Sequence, residues 1–202
     1  MTAAYLACLA LGYLIGSLSV SILISKYIFH QDVRTLGSGN AGAANAARTL
    51  GAGVGLLTLL GDFLKGVISM LLGSCLGGAT GLAIAGAACM IGHCFPIYFG
   101  FKGGKAVATA AAVALMIDWR VFLSAFAVFA IVAALSKTAS VSSMSASVAV
   151  AVMTPVFTRN PVLISLGIFT CLLVLLMHRS NIRRLISGTE PRFHFGKHPG
   201  KQ

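Results

Sequence analysis

Ser38, Asn40, Asn45 and Arg48 crowd into one short stretch, GSGNAGAANAARTLG, residues 37–51. Glycines in such a run let successive backbone N–H groups point into one concavity, which suits an anion. The alanine-rich part is expected to be helical from about Ala41. Asn40 or Ser38 would cap it, and its positive dipole end would face the same place. Asn45 and Arg48 are spaced i and i+3 and so share a face of that helix. A carboxamide beside a planar guanidinium fork suits phosphate. Close packing of a small-residue helix on a neighbour would account for the alanines. It would not account for four polar side chains gathered among them.

The stretch FKGGKA repeats the theme, with Lys102 and Lys105 flanking Gly103 and Gly104. It lacks the G-x-x-x-x-G-K-[ST] pattern and the acids that hold magnesium beside it. Taken alone, its lysines could simply sit among lipid headgroups. In HRSNI, residues 178–182, His178 and Asn181 share a helix face, and Arg179 and Arg183 share another. Capping or an interfacial position is the plainer reading of His178 alone. His93, in GHCFP, reads as structural, bonding a broken helix end before Pro96. Asp62 and Lys65 lie i and i+3 inside an apolar run. Unpaired, each would cost about 2.5–3.5 kcal/mol at mid-membrane, so a buried pair is expected. Cys8, Cys75, Cys89, Cys94 and Cys171 show no C-x-x-C spacing and read as free core thiols.

Several chemistries are excluded. Asp32, Asp62, Asp118 and Glu190 are too scattered to form the carboxylate cluster of a metal-dependent phosphotransferase. Tyr98 and Arg183 stand where an H-x-x-x-x-D pattern from His93 or His178 would need Asp. No G-x-S-x-G elbow is present. Chemistry here must work through hydrogen-bond donors and cations, and neither metal nor cofactor is expected.

The elements that position these residues are membrane helices. The chain has 202 residues, 57% hydrophobic and only 9% charged, where a soluble domain carries roughly 25% charged residues. It is expected to be an all-α integral membrane protein, one membrane-embedded domain over residues 1–202. Seven apolar stretches approach the length of a span: about 3–25, 53–76, 78–98, 105–117, 121–136, 141–158 and 161–177. The fourth and fifth are short and are expected to extend into adjoining loops. Residues 3–25 lack a basic n-region and read as an uncleaved span.

Alternate loops collect Lys26, Arg34 and Arg48, then Lys102 and Lys105, then Lys137, then Arg179, Arg183, Arg184, Arg192, Lys197 and Lys201. The opposite loops carry Arg120 and Arg159. The positive-inside rule therefore puts the N-terminus outside and the C-terminus in the cytoplasm. All the polar stretches fall on that cytoplasmic side, including SKTASVSS, residues 136–143. Irregular polar backbone near membrane depth must be buried in protein or line a wet cavity. One cavity open to the cytoplasmic face is expected, holding anions. Formal charge +11 in a chain that is mostly span points to anionic lipid or substrate, with no nucleic acid.

Together, GSGNAGAANAARTLG, GHCFP…GFKGGKAVAT and HRSNIRRLISGTEP resemble the bacterial acylphosphate:glycerol-3-phosphate acyltransferases, small multi-pass enzymes of the cell membrane. The resemblance covers essentially the whole chain. It implies a seven-helix bundle with its active site at the cytoplasmic face. The implied reaction moves an acyl group from acyl phosphate to the 1-hydroxyl of glycerol 3-phosphate, without direct use of acyl-CoA. It also implies membrane lipids, and an upstream enzyme that forms acyl phosphate, as partners. Ser38, Arg48 and Lys105 match the family's catalytic positions. Asn40, Asn45, Gly103, Gly104, Ser143, His178 and Asn181 match its substrate-binding ones. Two departures stand out: Ala44 occupies a place where the family more often has threonine, and Ala106 follows Lys105 where it often has glycine.

A transporter of a phosphorylated solute is the alternative from another class. It would predict polar loops reachable from both sides and, often, an internal repeat; the sequence shows neither. Orientation is directly testable. A reporter inserted near Asp118–Arg120 should read external and one fused after Gln202 cytoplasmic; swapped readings would break the single-face assignment.

Overall fold

Apolar runs punctuated by Gly, Ser and Pro give a computed structural model built of helices, with no strand among the described residues, 1–192. Lys197 and Lys201, counted above among the cytoplasmic charges, lie outside them.

The first apolar stretch is two helices, α1 (Thr2–Gly16) and α2 (Val20–Tyr27), parted at residues 17–19. Hydrogen bonds compensate for the break. Ser17 Oγ donates to Tyr13 O at 2.8 Å, and Leu18 O accepts from Lys65 Nζ at 2.6 Å. After a 3-10 turn at Val33–Thr35 comes the short α3 (Ala43–Leu50).

The next element, α4 (Ala52–Cys94), is a helical hairpin. Gly77 (φ −148°, ψ 20°) and Gly78 (φ 59°, ψ −145°) leave helical geometry. The two arms, 52–76 and 79–94, then run antiparallel: Ser69 Oγ donates to Ala85 O at 3.2 Å, and Lys65 Nζ meets His93 Nδ1 at 3.0 Å. This agrees with the expected division between 53–76 and 78–98, except that the second arm stops at Cys94. Pro96, which lacks an N–H and restricts the residue before it, ends the helix there.

A 3-10 turn at Ile97–Phe99 leads to α5 (Val107–Ile117), which starts after Ala106 adopts left-handed geometry (φ 59°). The helix α6 (Trp119–Ser136) begins two residues before its expected start, because Asp118 caps it by accepting from Arg120 N at 2.8 Å. Then follow α7 (Ala139–Phe157), α8 (Pro161–Met177) and α9 (Arg179–Ile186). Length and composition alone yield four stretches able to cross a membrane, or five when α8 and α9 are joined across their 55° bend. The expected seven are not reached this way, since α5 has only 11 residues and α4 counts once although it folds back.

Small residues seal the bundle. The helix α1 lies against the second arm of α4, and a Cβ on Gly12 would stand 2.6 Å from Ala85 O. One on Gly16 would run into the Cys89 carbonyl. Such spacing lets membrane helices approach backbone to backbone. Leu57, Leu60, Leu64 and Leu71 face outward instead, as suits contact with lipid. Four cysteines are buried free thiols as expected, whereas Cys75 is exposed near the hairpin turn.

Gly16→Val should overpack this seam and lower stability by about 1–3 kcal/mol. Gly53→Ala meets open space and should leave it unchanged or raise it by up to about 1 kcal/mol. Thermal unfolding in detergent distinguishes them.

Candidate active site

Two adjoining cavities share Ser38, Asn40, Lys105 and Arg184. The larger, about 740 Å³, is also lined by Asn45, Arg48, Ser143, His178 and Asn181 at its polar end. Leu56, Leu59, Val107, Ala108 and Phe129 line its apolar side. The smaller, about 300 Å³, adds Gly103, Gly104, Arg179 and Ser180. Each of the ten residues singled out from the sequence therefore lines one cavity or both. Their individual roles differ from the expectation in several places.

Helix α3 starts at Ala43 rather than Ala41, and Gly42 stands at its N-cap with no side chain capping it. Neither Ser38 nor Asn40 is the cap, because Asn45 engages the serine. Asn45 Oδ1 accepts from Ser38 N at 2.9 Å and from Ser38 Oγ at 3.1 Å. Its Nδ2 donates to Val33 O and Leu36 O, both at 3.0 Å. Both amide protons are thus used within the protein, and buried Asn45 organises the loop instead of reaching a phosphate. Arg48 has no ion-pair partner among the described residues and is exposed on the larger cavity. Asn40 Oδ1 is a buried acceptor without a donor.

The glycine-lysine loop also differs from a cradle of free amides. Gly103 N donates to Cys94 O at 3.1 Å and Gly104 N to His93 O at 3.0 Å, closing the end of α4. These positions are glycine because the loop lies flat on that end: a Cβ on Gly104 would run into the His93 ring. His93 does not use its imidazole to bond the helix end, as the sequence suggested; its carbonyl does that work. The cation that this loop brings to both cavities is Lys105. Arg34 pins the loop to the first one, pairing with Asp32 Oδ2 at 2.8 Å and donating to Phe99 O at 2.6 Å.

At the hinge between α8 and α9, His178 Nδ1 donates to Val174 O at 2.8 Å, so His178 both caps and lines the cavity. Ser143 donates to Ala139 O at 2.8 Å, which leaves its lone pairs toward the cavity. Lys105 Nζ donates to Asn181 Oδ1, Asn181 Nδ2 to Glu190 Oε1 at 2.6 Å, and Arg184 Nε meets Glu190 Oε2 at 2.7 Å. Arg184 and Glu190 were not picked out from the sequence. Arg184 lies i+3 from Asn181, a spacing that would have found it; Glu190 had only its isolation among basic residues as a signal.

Burial pushes the Lys105 ammonium down to about 8, helped by the Arg184 and Arg48 cations and partly opposed by Glu190. Burial alone would raise the Glu190 carboxyl, but hydrogen bonds from Asn181 and Arg184, with the Arg184 charge, outweigh it and hold Glu190 below its ordinary value. Arg48, Lys105, Arg179 and Arg184 outnumber the two carboxylates that line the cavities, Glu190 and Asp62, and Asp62 is already paired with Lys65, so the site favours a multiply charged anion. Among the described residues no group of three His, Cys, Asp or Glu is placed to hold a metal ion.

The fold and site define a helical, multi-pass membrane protein with two adjoining cation-lined cavities, the larger of which has an apolar side. Residues 6–188 match the glycerol-3-phosphate acyltransferase family model, and the chain belongs to that family. A glycerol-3-phosphate acyltransferase of Syntrophotalea carbinolica is 40% identical over 96% of this chain and 99% of its own. One of Thioalkalivibrio sulfidiphilus is 42% identical over 91% and 92%. The crystal structure of PlsY, an integral membrane glycerol 3-phosphate acyltransferase, in its glycerol 3-phosphate form superposes with a TM-score of 0.90 at 35% identity, covering 94% of this chain and 96% of that one. Its lysophosphatidic acid form gives 0.87 at 34% identity, with 94% and 95% covered.

Asn45→Ala removes hydrogen bonds contributing about 0.5–1.5 kcal/mol each, so unfolding should come at clearly lower temperature. Asn45→Asp sets a carboxylate against the Val33 and Leu36 carbonyls and should not restore it. Wild-type melting of both variants would contradict the loop-organising role.

Proposed function

We propose that this chain transfers an acyl group from acyl phosphate to the 1-hydroxyl of sn-glycerol 3-phosphate, forming lysophosphatidic acid and inorganic phosphate, the first acylation of phospholipid synthesis. The observation that carries this reading is the pair of cavities converging on Lys105, one polar and cationic, the other continuing along apolar helix faces. Both substrates bring a phosphate, and each needs cations. An acyl chain brings CH₂ groups that contribute about 0.8 kcal/mol apiece on burial. Family membership supports the acceptor; acyl phosphate as donor rests on the sequence resemblance, and the two carboxylates of the larger cavity, Asp62 and Glu190, are each engaged by a cation, Lys65 and Arg184.

In this mechanism Arg48 and Lys105 neutralise the two phosphates. Asn40 Oδ1, lacking a donor in the protein, accepts from a hydroxyl of the glycerol moiety. The uncapped N-terminus of α3 points its first N–H groups at the charge that develops on the acyl oxygen. The 1-hydroxyl oxygen attacks the acyl carbon, the bond from that carbon to the phosphate oxygen breaks, and the hydroxyl proton passes to the departing phosphate. Ser38, Ser143, His178 and Asn181 hold the substrates in register. Of these, Ser38 already gives its proton to Asn45, so it serves as an acceptor.

Residues 1–202 act as one domain in a bacterial cell membrane. We read seven spans, counting α1 with α2 as one, the two arms of α4, and α5 to α8, with the N-terminus outside and the cavities cytoplasmic. The antiparallel hairpin and the clustering of basic loops around the cavities support this.

Arg48→Ala and Lys105→Ala each lose a charge-assisted hydrogen bond, contributing about 1.5–3 kcal/mol, and should slow turnover by about 10- to 150-fold. Arg159→Ala, outside both cavities, should stay near wild type; equal losses at all three would indicate general destabilisation.

The pH dependence follows from Lys105, whose value is pushed down to about 8. It is cationic below that pH and neutral above, so the KM for glycerol 3-phosphate should climb as pH rises through about 8. Lys105→Arg should remove that limb, and a flat wild-type profile to pH 10 would refute the assignment.

The test of the function itself uses purified protein with acyl phosphate and glycerol 3-phosphate. Lysophosphatidic acid and phosphate should form in equal amounts, in excess EDTA, and acyl-CoA should not replace acyl phosphate. Inhibition by EDTA reversed by magnesium, or efficient use of acyl-CoA, would overturn it, and solute movement without product would favour a transporter.

A further inference from the structure

Three ionisable side chains lie deeper than the cations of the site and take no part in the transfer just described. Asp62, Lys65 and His93 are 1%, 6% and 4% exposed, within the hairpin α4. Lys65 Nζ donates to Leu18 O at 2.6 Å, meets His93 Nδ1 at 3.0 Å and forms an ion pair with Asp62 Oδ1 at 2.7 Å. An ammonium can only donate, so Nδ1 is the accepting nitrogen of His93 and the ring proton sits on Nε2. Nε2 is the atom that Gly104 lies against, and the His93 carbonyl receives the Gly104 N–H. Both Asp62 and His93 reach the larger cavity. Burying such a group is seldom favourable for stability alone, since apolar residues of similar volume would serve as well or better.

We infer that Asp62, Lys65 and His93 are positioning residues for acyl transfer, fixing the imidazole on which the glycine-lysine loop is laid and thereby the place of Lys105. The chain of contacts is continuous: Lys65 orients the ring, the ring and its carbonyl hold Gly104, and Lys105 follows directly. Lys65 also bridges the break between α1 and α2, so the loop is registered against the first helices as well. The inference rests on the reading of Lys105 as a phosphate-binding cation.

A double-mutant cycle in kcat/KM for glycerol 3-phosphate tests it. His93→Phe keeps a ring of similar bulk but loses the bond to Lys65. A misplacement of order 1 Å costs on the order of 100-fold, so kcat/KM should fall by about that much in protein that still folds, as judged by thermal unfolding. In a Lys105→Met background the same substitution should cost no more than about two-fold, since the two act as one unit. Asp62→Asn should follow the same pattern, and carries the test if His93→Phe does not fold. Equal losses in both backgrounds, or wild-type activity in folded His93→Phe, would overturn the inference. Wild-type activity in Lys105→Met would instead overturn the active-site reading beneath it. Where turnover of the doubles is too slow, inorganic phosphate should protect Lys105 from reductive methylation in the wild type and fail to do so in His93→Phe. Retained protection would overturn the positioning role.

Discussion

Within a membrane, a helix that breaks frees backbone groups that no water reaches, and each must find a partner in the protein. Much of this molecule is arranged around that constraint. Leu18 O, exposed between α1 and α2, takes the Lys65 ammonium. The carbonyls of His93 and Cys94, at the end of α4, take the amides of Gly104 and Gly103. Val33 O and Leu36 O take the amide of Asn45. Hydroxyls inside the helices turn back on their own backbones, as Thr154 and Thr170 do to Val150 O and Leu166 O.

The constraint divides the polar motifs into two sets. Asn45, Gly103, Gly104, Lys65 and Arg34 are committed to the protein and determine its shape. Arg48, Lys105 and Arg184 face the cavities, where the proposed reaction places the substrate phosphates. In the proposed mechanism the first set matters as much as the second, because a cation is useful only where the loop holds it. The charge balance follows the same division. Glu190 joins Asn181 and Arg184 and offsets part of the positive field, and burial still leaves Lys105 less firmly protonated than a surface lysine.

The helical membrane class was legible in the sequence, because apolar run length and scarce charge are properties of composition. The helix bounds near caps were legible too: Pro161 and Met177 bound α8 where expected. The break at residues 17–19 was not, since serines inside an apolar run look like an intact span until Lys65 is seen to satisfy Leu18. That all ten residues would line the two adjoining cavities was legible, because polar side chains in such a chain have few places to go. Their roles were less so. Spacing shows that Asn45 and Arg48 share a face, but only the path of residues 33–38 shows that Asn45 is already engaged. The Asp62–Lys65 pair was expected from the cost of burying either alone, and its third member, His93, comes from a hairpin partner that one-dimensional spacing cannot reveal.

The account turns on which bond of the acyl donor breaks. Acyl phosphate labelled with oxygen-18 at the bridging position, given to the purified protein with glycerol 3-phosphate, reports this through mass spectrometry of the products. Attack at the acyl carbon, with the cations of the cavity holding the leaving phosphate, predicts that the label appears in inorganic phosphate and is absent from lysophosphatidic acid. Label recovered in free fatty acid, with the phosphoryl group moved instead, would contradict the account.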